Sequence, residues 1–402
     1  MPLLLTRKHI HRLRKELADT ILHGDTIMRY CEAAGLPVNR IELRGDSWTM
    51  WGSVIGTTIT ADHQERALAL LNHIITDHPE NEIFIHYYNE ILSSRNVRLS
   101  KLAAALKQRK CVVFLGPDVL KVRQNNSLVN FNDSLCAVLE ATMREETIYY
   151  ERNLNRNLAY LAQCFADDPF YAAGETAALA RKIYDKLLPR MIDRGIYEDL
   201  ARLPLRLVIN ANADDILCQE MKKAGMACTT DFYDMSNIGA MPDKPSPVIL
   251  PGDEPQEQAA AAMVYNIFGS YQNPDSVLFT ESQFLDFINR VLQGNPRLNN
   301  DVVRELNEKD SYLFLGFDFE QWYFKILFQL LNIKKEQYAS VSCGFEEMDA
   351  NPFAGPLNAR VSVYTREFYE QEFKMFFVND DIRNFISELA TLLEADANQQ
   401  NP

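Results

Sequence analysis

The chain has 402 residues, 47% of them hydrophobic and 24% charged, which is enough for two or three packed units of ordinary globular composition. Its net charge of -14 falls mainly beyond residue 96, where 43 Asp and Glu stand against 31 Lys and Arg, so no nucleic-acid partner is expected. No run of about 18 apolar residues offers a bilayer span, and Met1 to Thr6 is too short for a signal-peptide core. The seven cysteines are scattered without a CxxC pair, so reduced thiols, no zinc ribbon, no membrane partner and a cytoplasmic location are expected.

Residues 1–92 read as a small all-α bundle of four or five short helices. Ile10, Leu13, Leu17, Ile21 and Leu22 fall on one stripe, and Ala67, Leu68, Leu70, Leu71, Ile74 and Ile75 on another. Gly24-Asp25, Gly35-Leu36-Pro37 and Arg44-Gly45-Asp46 punctuate the intervals. The basic run from Arg7 to Lys15 fits the solvated face of a helix. His78-Pro79-Glu80-Asn81 marks a turn before a helix from Ile83 to Ile91. All seven histidines lie in the first 86 residues, without the carboxylate spacing of zinc motifs, and read as surface residues with no metal.

From about residue 97 the pattern changes. A helix closes on Leu102, Leu106 and Lys107, and Cys111 to Leu115 then reads as a short buried strand ending at Gly116. Further strands are expected at Leu205–Asn210, Val248–Leu250, Val264–Phe268, Tyr312–Gly316 and Phe373–Val378. Residues 130–200 read as an inserted helical module through Leu135, Val138 and Leu139, then Leu158, Leu161 and Phe165, then Leu179 to Leu188. Residues 241–258 hold five of the 17 prolines and read as a loop over a cleft. Ile382, Phe385, Ile386, Leu389 and Leu393 make a final helix, followed by a disordered tail at 396–402. The expectation for 97–395 is an α/β fold: a parallel Rossmann-like sheet with helices on both faces, its ligand loops at the strands' carboxyl ends.

Three loops taken in order carry a family resemblance. They are Phe114-Leu115-Gly116-Pro117-Asp118-Val119, Ile209-Asn210-Ala211-Asn212-Ala213-Asp214-Asp215 and Tyr265-Asn266-Ile267-Phe268-Gly269-Ser270, with Asn273 to Glu281 and Leu315-Gly316-Phe317-Asp318-Phe319-Glu320-Gln321-Trp322 beyond them. This order resembles the sirtuin-like family, in the bacterial branch of defence proteins that consume NAD. The amino-terminal part resembles the effector-associated, death-like helical domains, through Gly35-Leu36-Pro37, Trp48 and Trp51 before Val54-Ile55, the Leu68 to Ile75 helix and Asp77 to Asn81. A helical cap on the larger domain is the plainer reading of the same bundle.

The resemblance implies NAD or ADP-ribose as cofactor, with Gly116, Asp118, Asn212, Asp214, Phe268, Gly269, Ser270 and Gly316 at cofactor-binding positions. Asn212 and Asp214 would hold the nicotinamide amide and the ribose, and are the catalytic candidates if the protein is active. The same residue types also make turns and helix caps. Two departures weigh against catalysis. Pro117 and Asp118 replace the family's alanine and second glycine, which removes an amide and adds a negative charge where a pyrophosphate would lie; Lys121 and Arg123 are the nearest compensating cations. Phe268 stands where the family has its histidine, and loss of a general base removes a factor of about 100 to 10,000 in rate. Asp215, Asp275 and Glu281 are the nearest carboxylates that could stand in. No four-cysteine zinc site accompanies the inserted module, so deacetylation is not expected.

The resemblance thus implies a component of a bacterial conflict or anti-phage defence system. Its helical domain would recruit a partner with a matching domain or assemble a homo-oligomer, and its degenerate sirtuin-like domain would act as scaffold or nucleotide sensor. The alternatives are an NAD glycohydrolase activated by oligomerisation and a structural filament protein.

Overall fold

In the computed structural model the described residues are 7–36, 44–58, 64–124, 127–143, 157–169, 192–235, 261–309, 311–317, 322–331, 342–345, 375–378 and 382–399, with a few single residues between them. The chain forms two compact units, one of residues 1–103 and 346–380 and the other of residues 104–345 and 381–402.

The first unit contains α1 (Arg7–Thr20), α2 (Gly24–Ala33), α3 (Ser47–Thr57), α4 (Gln64–Asp77) and the greater part of α5 (Glu82–Lys107). Its core gathers Leu13, Leu17, Ile21, Trp51, Ile74 and Phe84. Leu22 was expected in that stripe but is 59% exposed, because α1 stops at Thr20 and the next residues leave the helical period. Asp46 caps α3 by accepting the Thr49 N–H at 2.8 Å, and Asn81 caps α5 through the N–H groups of Ile83 and Phe84. Arg14 lies 4.2 Å over the Trp48 ring and donates to the Trp48 carbonyl at 2.7 Å. The described histidines are exposed or half-buried, as expected. The helix expected to end near Ile91 continues to Lys107, because no Gly or Pro interrupts residues 82–107.

In the second unit six parallel strands run in the order β5 (Cys228–Phe232), β6 (Ala262–Asn266), β4 (Leu207–Asn210), β1 (Cys111–Leu115), β7 (Ser311–Leu315), β8 (Ser342–Phe345). Every residue of β1, β4, β6 and β7 is buried, so the centre of the sheet is covered on both faces. Phe114 of β1 stacks on Phe314 of β7, in register beside it, with ring centroids 4.7 Å apart. The helices are α6 (Phe131–Thr142), α7 (Leu158–Asp167), α8 (Gly195–Leu200), α9 (Ile216–Lys223), α10 (Glu281–Gln293), α11 (Asn300–Glu308), α12 (Trp322–Leu330) and α13 (Ile382–Gln399). After β4 the chain adds β5 and β6 on one side of β1, and then crosses to place β7 on the other. That reversal at β1 is where parallel sheets open a ligand crevice.

Several elements differ from the sequence reading. The strand expected at Val264–Phe268 starts at Ala262 and ends at Asn266, because Ile267 and Phe268 already belong to a turn that Gly269 completes at φ +92°. An antiparallel pair, β2 (Lys121–Gln124) and β3 (Ser127–Asn130), was not expected, nor were β5 and β8. The tail expected to be disordered from 396 is helical as far as Gln399, since no Gly or Pro follows Leu393 before Pro402. The strand expected at Phe373–Val378 is Met375–Val378. Val248–Leu250, the proline-rich loop 241–258 and most of Leu179 to Leu188 lie outside the described residues.

Candidate functional site

The loop after β1 carries the expected phosphate site, and every N–H in it has a partner. Gly116 N donates to Leu315 O at 2.7 Å, and Asp118 N donates to Gly316 O at 3.0 Å. Val119 N donates to Gly116 O and Leu120 N to Pro117 O, both at 3.2 Å, while Pro117 has no N–H. The loop is therefore closed on itself and on the loop after β7. Both glycines are needed for this crossing: a Cβ on Gly116 would overlap the Gly316 carbonyl, and Gly316 holds φ +67° against Val119. The Asp118 carboxylate accepts from the Asn130 amide at 3.0 Å. Lys121 is half-buried and Arg123 exposed on β2, to either side of buried Val122.

The loop after β4 joins this crossing through Asn212, 7% exposed, whose Nδ2 donates to Gly116 O at 2.8 Å. Its backbone N–H donates to Asn210 Oδ1 at 3.0 Å. Asp214 is turned elsewhere. It is 2% exposed, and its Oδ1 accepts the Ile216 N–H at 2.9 Å, an Asx turn that leads into α9. β4 and β6 end in register on Asn210 and Asn266, so the two side chains share a face. Asn210 Nδ2 donates to Asn266 Oδ1 at 3.0 Å, and Asn266 Nδ2 donates to Asp214 O at 2.9 Å.

Burial pushes the Asp214 carboxyl up to about 7; Asp215 adds to the rise, while the Ile216 N–H, the Asn210 amide and Arg194 oppose it. The buried hydroxyls of Tyr184, Tyr197 and Tyr271 are driven well above the usual phenol range by desolvation and, secondarily, by the Asp214 charge. Tyr184 stacks on Tyr271 at 4.2 Å, and the Tyr184 and Tyr197 hydroxyls have no hydrogen-bond partner among the described residues. Asn210, Asn266 and these tyrosines were not anticipated as a cluster. The only signal was an asparagine closing each of two apolar strands.

Phe268 is 5% exposed, with ring centroids 5.0 Å from Phe284 and 5.6 Å from Phe287, both edge-on. It is a core aromatic with no titratable atom to offer. Gly269 and Ser270 shape a tight turn: a Cβ on Gly269 would overlap the Ser276 carbonyl, and Ser270 N donates to Ser276 Oγ at 2.9 Å. Tyr271 N donates to Ala213 O at 2.8 Å, tying this turn to the loop after β4. Of the substitute carboxylates, Asp215 is held by Gln219 at 2.8 Å and Gln272 at 3.1 Å, Asp275 is exposed in a short turn, and Glu281 lies in the first turn of α10. Between the loops lies a cavity of about 60 Å³, bordered by Asn212, Phe268, Phe131, Tyr271, Phe284 and Tyr323 among others.

These residues do not fit a dinucleotide as they stand. No N–H of the 116–120 loop is left for a phosphate, an aspartate lies in that loop, and the cavity is well below the roughly 300–1,000 Å³ of ordinary ligand sites. Among the described residues no group of three or more His, Cys, Asp or Glu could hold a metal ion, and no helix is long and apolar enough to cross a membrane.

Fold and site together define a parallel α/β domain in which the loops after β1, β4, β6 and β7 are bound to one another. Residues 206–349 match the family model of the SIR2-like domain, from the start of β4 past the end of β8. The loop after β1 lies outside that match. No curated protein matches the chain. Among solved structures, one described as "Structural Basis for the Mechanism and Regulation of Sir2 Enzymes" aligns with 75% of this chain and 99% of its own, at 11% identity and a TM-score of 0.33.

Proposed function

We propose that this protein is an assembly component of a bacterial conflict or anti-phage defence system, in which the SIR2-like domain is a scaffold that does not hydrolyse NAD. The helical unit recruits a partner carrying a matching domain, or a second copy of this chain. One observation carries the non-hydrolysing part: each N–H from Gly116 to Leu120 is already satisfied within the protein. Phe268 supports it, because a buried ring packed edge-on against two others cannot accept a proton. The test is calorimetric titration of the full chain with NAD and with ADP-ribose, followed by assay of nicotinamide release. The expected result is no release, and sustained release overturns the proposal.

A second reading keeps NAD hydrolysis, with oligomerisation opening the crossed loops and Asp214 accepting the proton. It is favoured by the Asp214 carboxyl lying at about 7, the range suited to acid–base work. Under that reading Asp214→Asn abolishes nicotinamide release from the assembled protein and Asp275→Asn does not.

A further inference from the structure

We infer that the outward face of α1 docks on the outward face of α2 in a second copy of this chain, joining copies head to tail. The inference rests on the proposal that the helical unit assembles protein partners, and it names the two surfaces used.

Lys8, His11, Arg12 and Lys15 recur at the spacing of a single helical face, and all four are exposed. Leu13, Leu17 and Ala18 are buried on the other side of the helix. Among the described residues Lys8, Arg12 and Lys15 have no ion pair, and Asp19, a turn beyond Lys15, is the one acid on that face and is also unpaired. Like charges three and four residues apart repel, so this face gains from a counter-charge outside its own helix.

α2 presents the counterpart. Asp25, Met28, Arg29 and Glu32 follow the same spacing and are exposed, opposite buried Ile27, Tyr30 and Cys31. Asp77 neutralises Arg29 at 2.9 Å, which leaves the charges of Asp25 and Glu32 on either side of Met28. Asp25 and Glu32 stand seven residues apart, as do Lys8 and Lys15, and each pair spans two helical turns, about 10.5 Å. The two faces can therefore meet with both ends paired.

A nucleic acid or an anionic membrane would also be drawn to α1, but it would meet Asp25 and Glu32 in the same unit and a net charge of -14 on the chain. A second copy brings the complementary face itself. Because the two faces differ, the contact is heterologous and copies can add at either end.

Sedimentation velocity on the full chain should show association that weakens by about tenfold or more between about 0.03 M and about 0.5 M salt. Lys8→Glu with Lys15→Glu, and separately Asp25→Lys with Glu32→Lys, should each give single chains that keep a cooperative melting transition. An equimolar mixture of these two variants should associate again, because each reversed face then meets its opposite. Lys8→Gln with Lys15→Gln adds no repulsion and should weaken association by about tenfold. Association of either reversed variant alone overturns the inference and leaves assembly through another surface standing, as does a mixture that stays single. A parent chain that stays single at low salt overturns the inference and second-copy assembly together, whether or not it binds duplex DNA or phosphatidylserine vesicles instead. Nicotinamide release from the same samples overturns only the non-hydrolysing proposal, so the failures are told apart.

Discussion

The side chain of Asn212 bridges two loops that are 96 residues apart in sequence, giving its amide to Gly116 O at 2.8 Å. The position that the family resemblance assigns to a ligand is thus occupied by a contact within the protein, and the loop it holds is the one in which a phosphate would have to bind.

Asn212→Ala should therefore act first on stability. It leaves a buried carbonyl without its side-chain donor, at a cost of about 1–3 kcal/mol, and urea denaturation at constant slope would measure it. An unchanged midpoint would mean that this bond contributes nothing to folding.

Returning the family's residue should not return its chemistry. Phe268→His puts a polar imidazole where a buried ring packs edge-on against Phe284 and Phe287, so we expect lowered stability and no nicotinamide release. Phe268→Ala removes the ring altogether and should cost about 3–5 kcal/mol, read from the same denaturation experiment.

Asp214 gives a pH signature with a definite sign. Its carboxyl rises from an ordinary value of 3.8 to about 7 on folding, so its contribution to stability is complete below 3.8 and is lost as pH rises through about 7. Asp214→Asn keeps an acceptor for the Ile216 N–H, and should flatten the dependence of melting temperature on pH between about 4 and 8.

Glu305 should behave in the opposite sense. Arg206 grips it with two bonds of 2.8 and 2.9 Å and Lys309 adds a third at 2.8 Å, all three side chains being largely buried. Burial raises the Glu305 carboxyl, but the hydrogen bonds and charges of Arg206 and Lys309 outweigh it and hold the group below its ordinary 4.5. Its stabilisation is present above 4.5 and is lost as pH falls below that value. Glu305→Ala leaves two cations buried without their partner and should cost about 3–5 kcal/mol at neutral pH by equilibrium unfolding.

The buried strands were legible because a strand covered on both faces reads as an unbroken apolar run, as Cys111 to Leu115 and Tyr312 to Leu315 do. β5 gave no such signal: Cys228-Thr229-Thr230-Asp231-Phe232 is a half-covered strand with polar residues in its middle. The β2–β3 pair could have been found, since Asn125-Asn126 stands between two short runs in the manner of a hairpin turn. Asn212 and Asp214 were legible as special positions, but not in their roles. Asx residues that make turns and those that hold ligands look the same in sequence, and only the location of Gly116 O and the Ile216 N–H distinguishes them.

The crossing of the loops after β1 and β7 also bears on the order in which the domain can be built. The N–H groups of Gly116 and Asp118 find their acceptors only on Leu315 and Gly316, nearly the whole length of the unit later, so the front of the sheet stays unfinished until β7 arrives. Much of the first unit, by contrast, closes through neighbouring helices of short sequence separation. During synthesis the first three-quarters of the chain would leave the ribosome with its central loop still unlatched, and the segment around residue 315 acts as the catch.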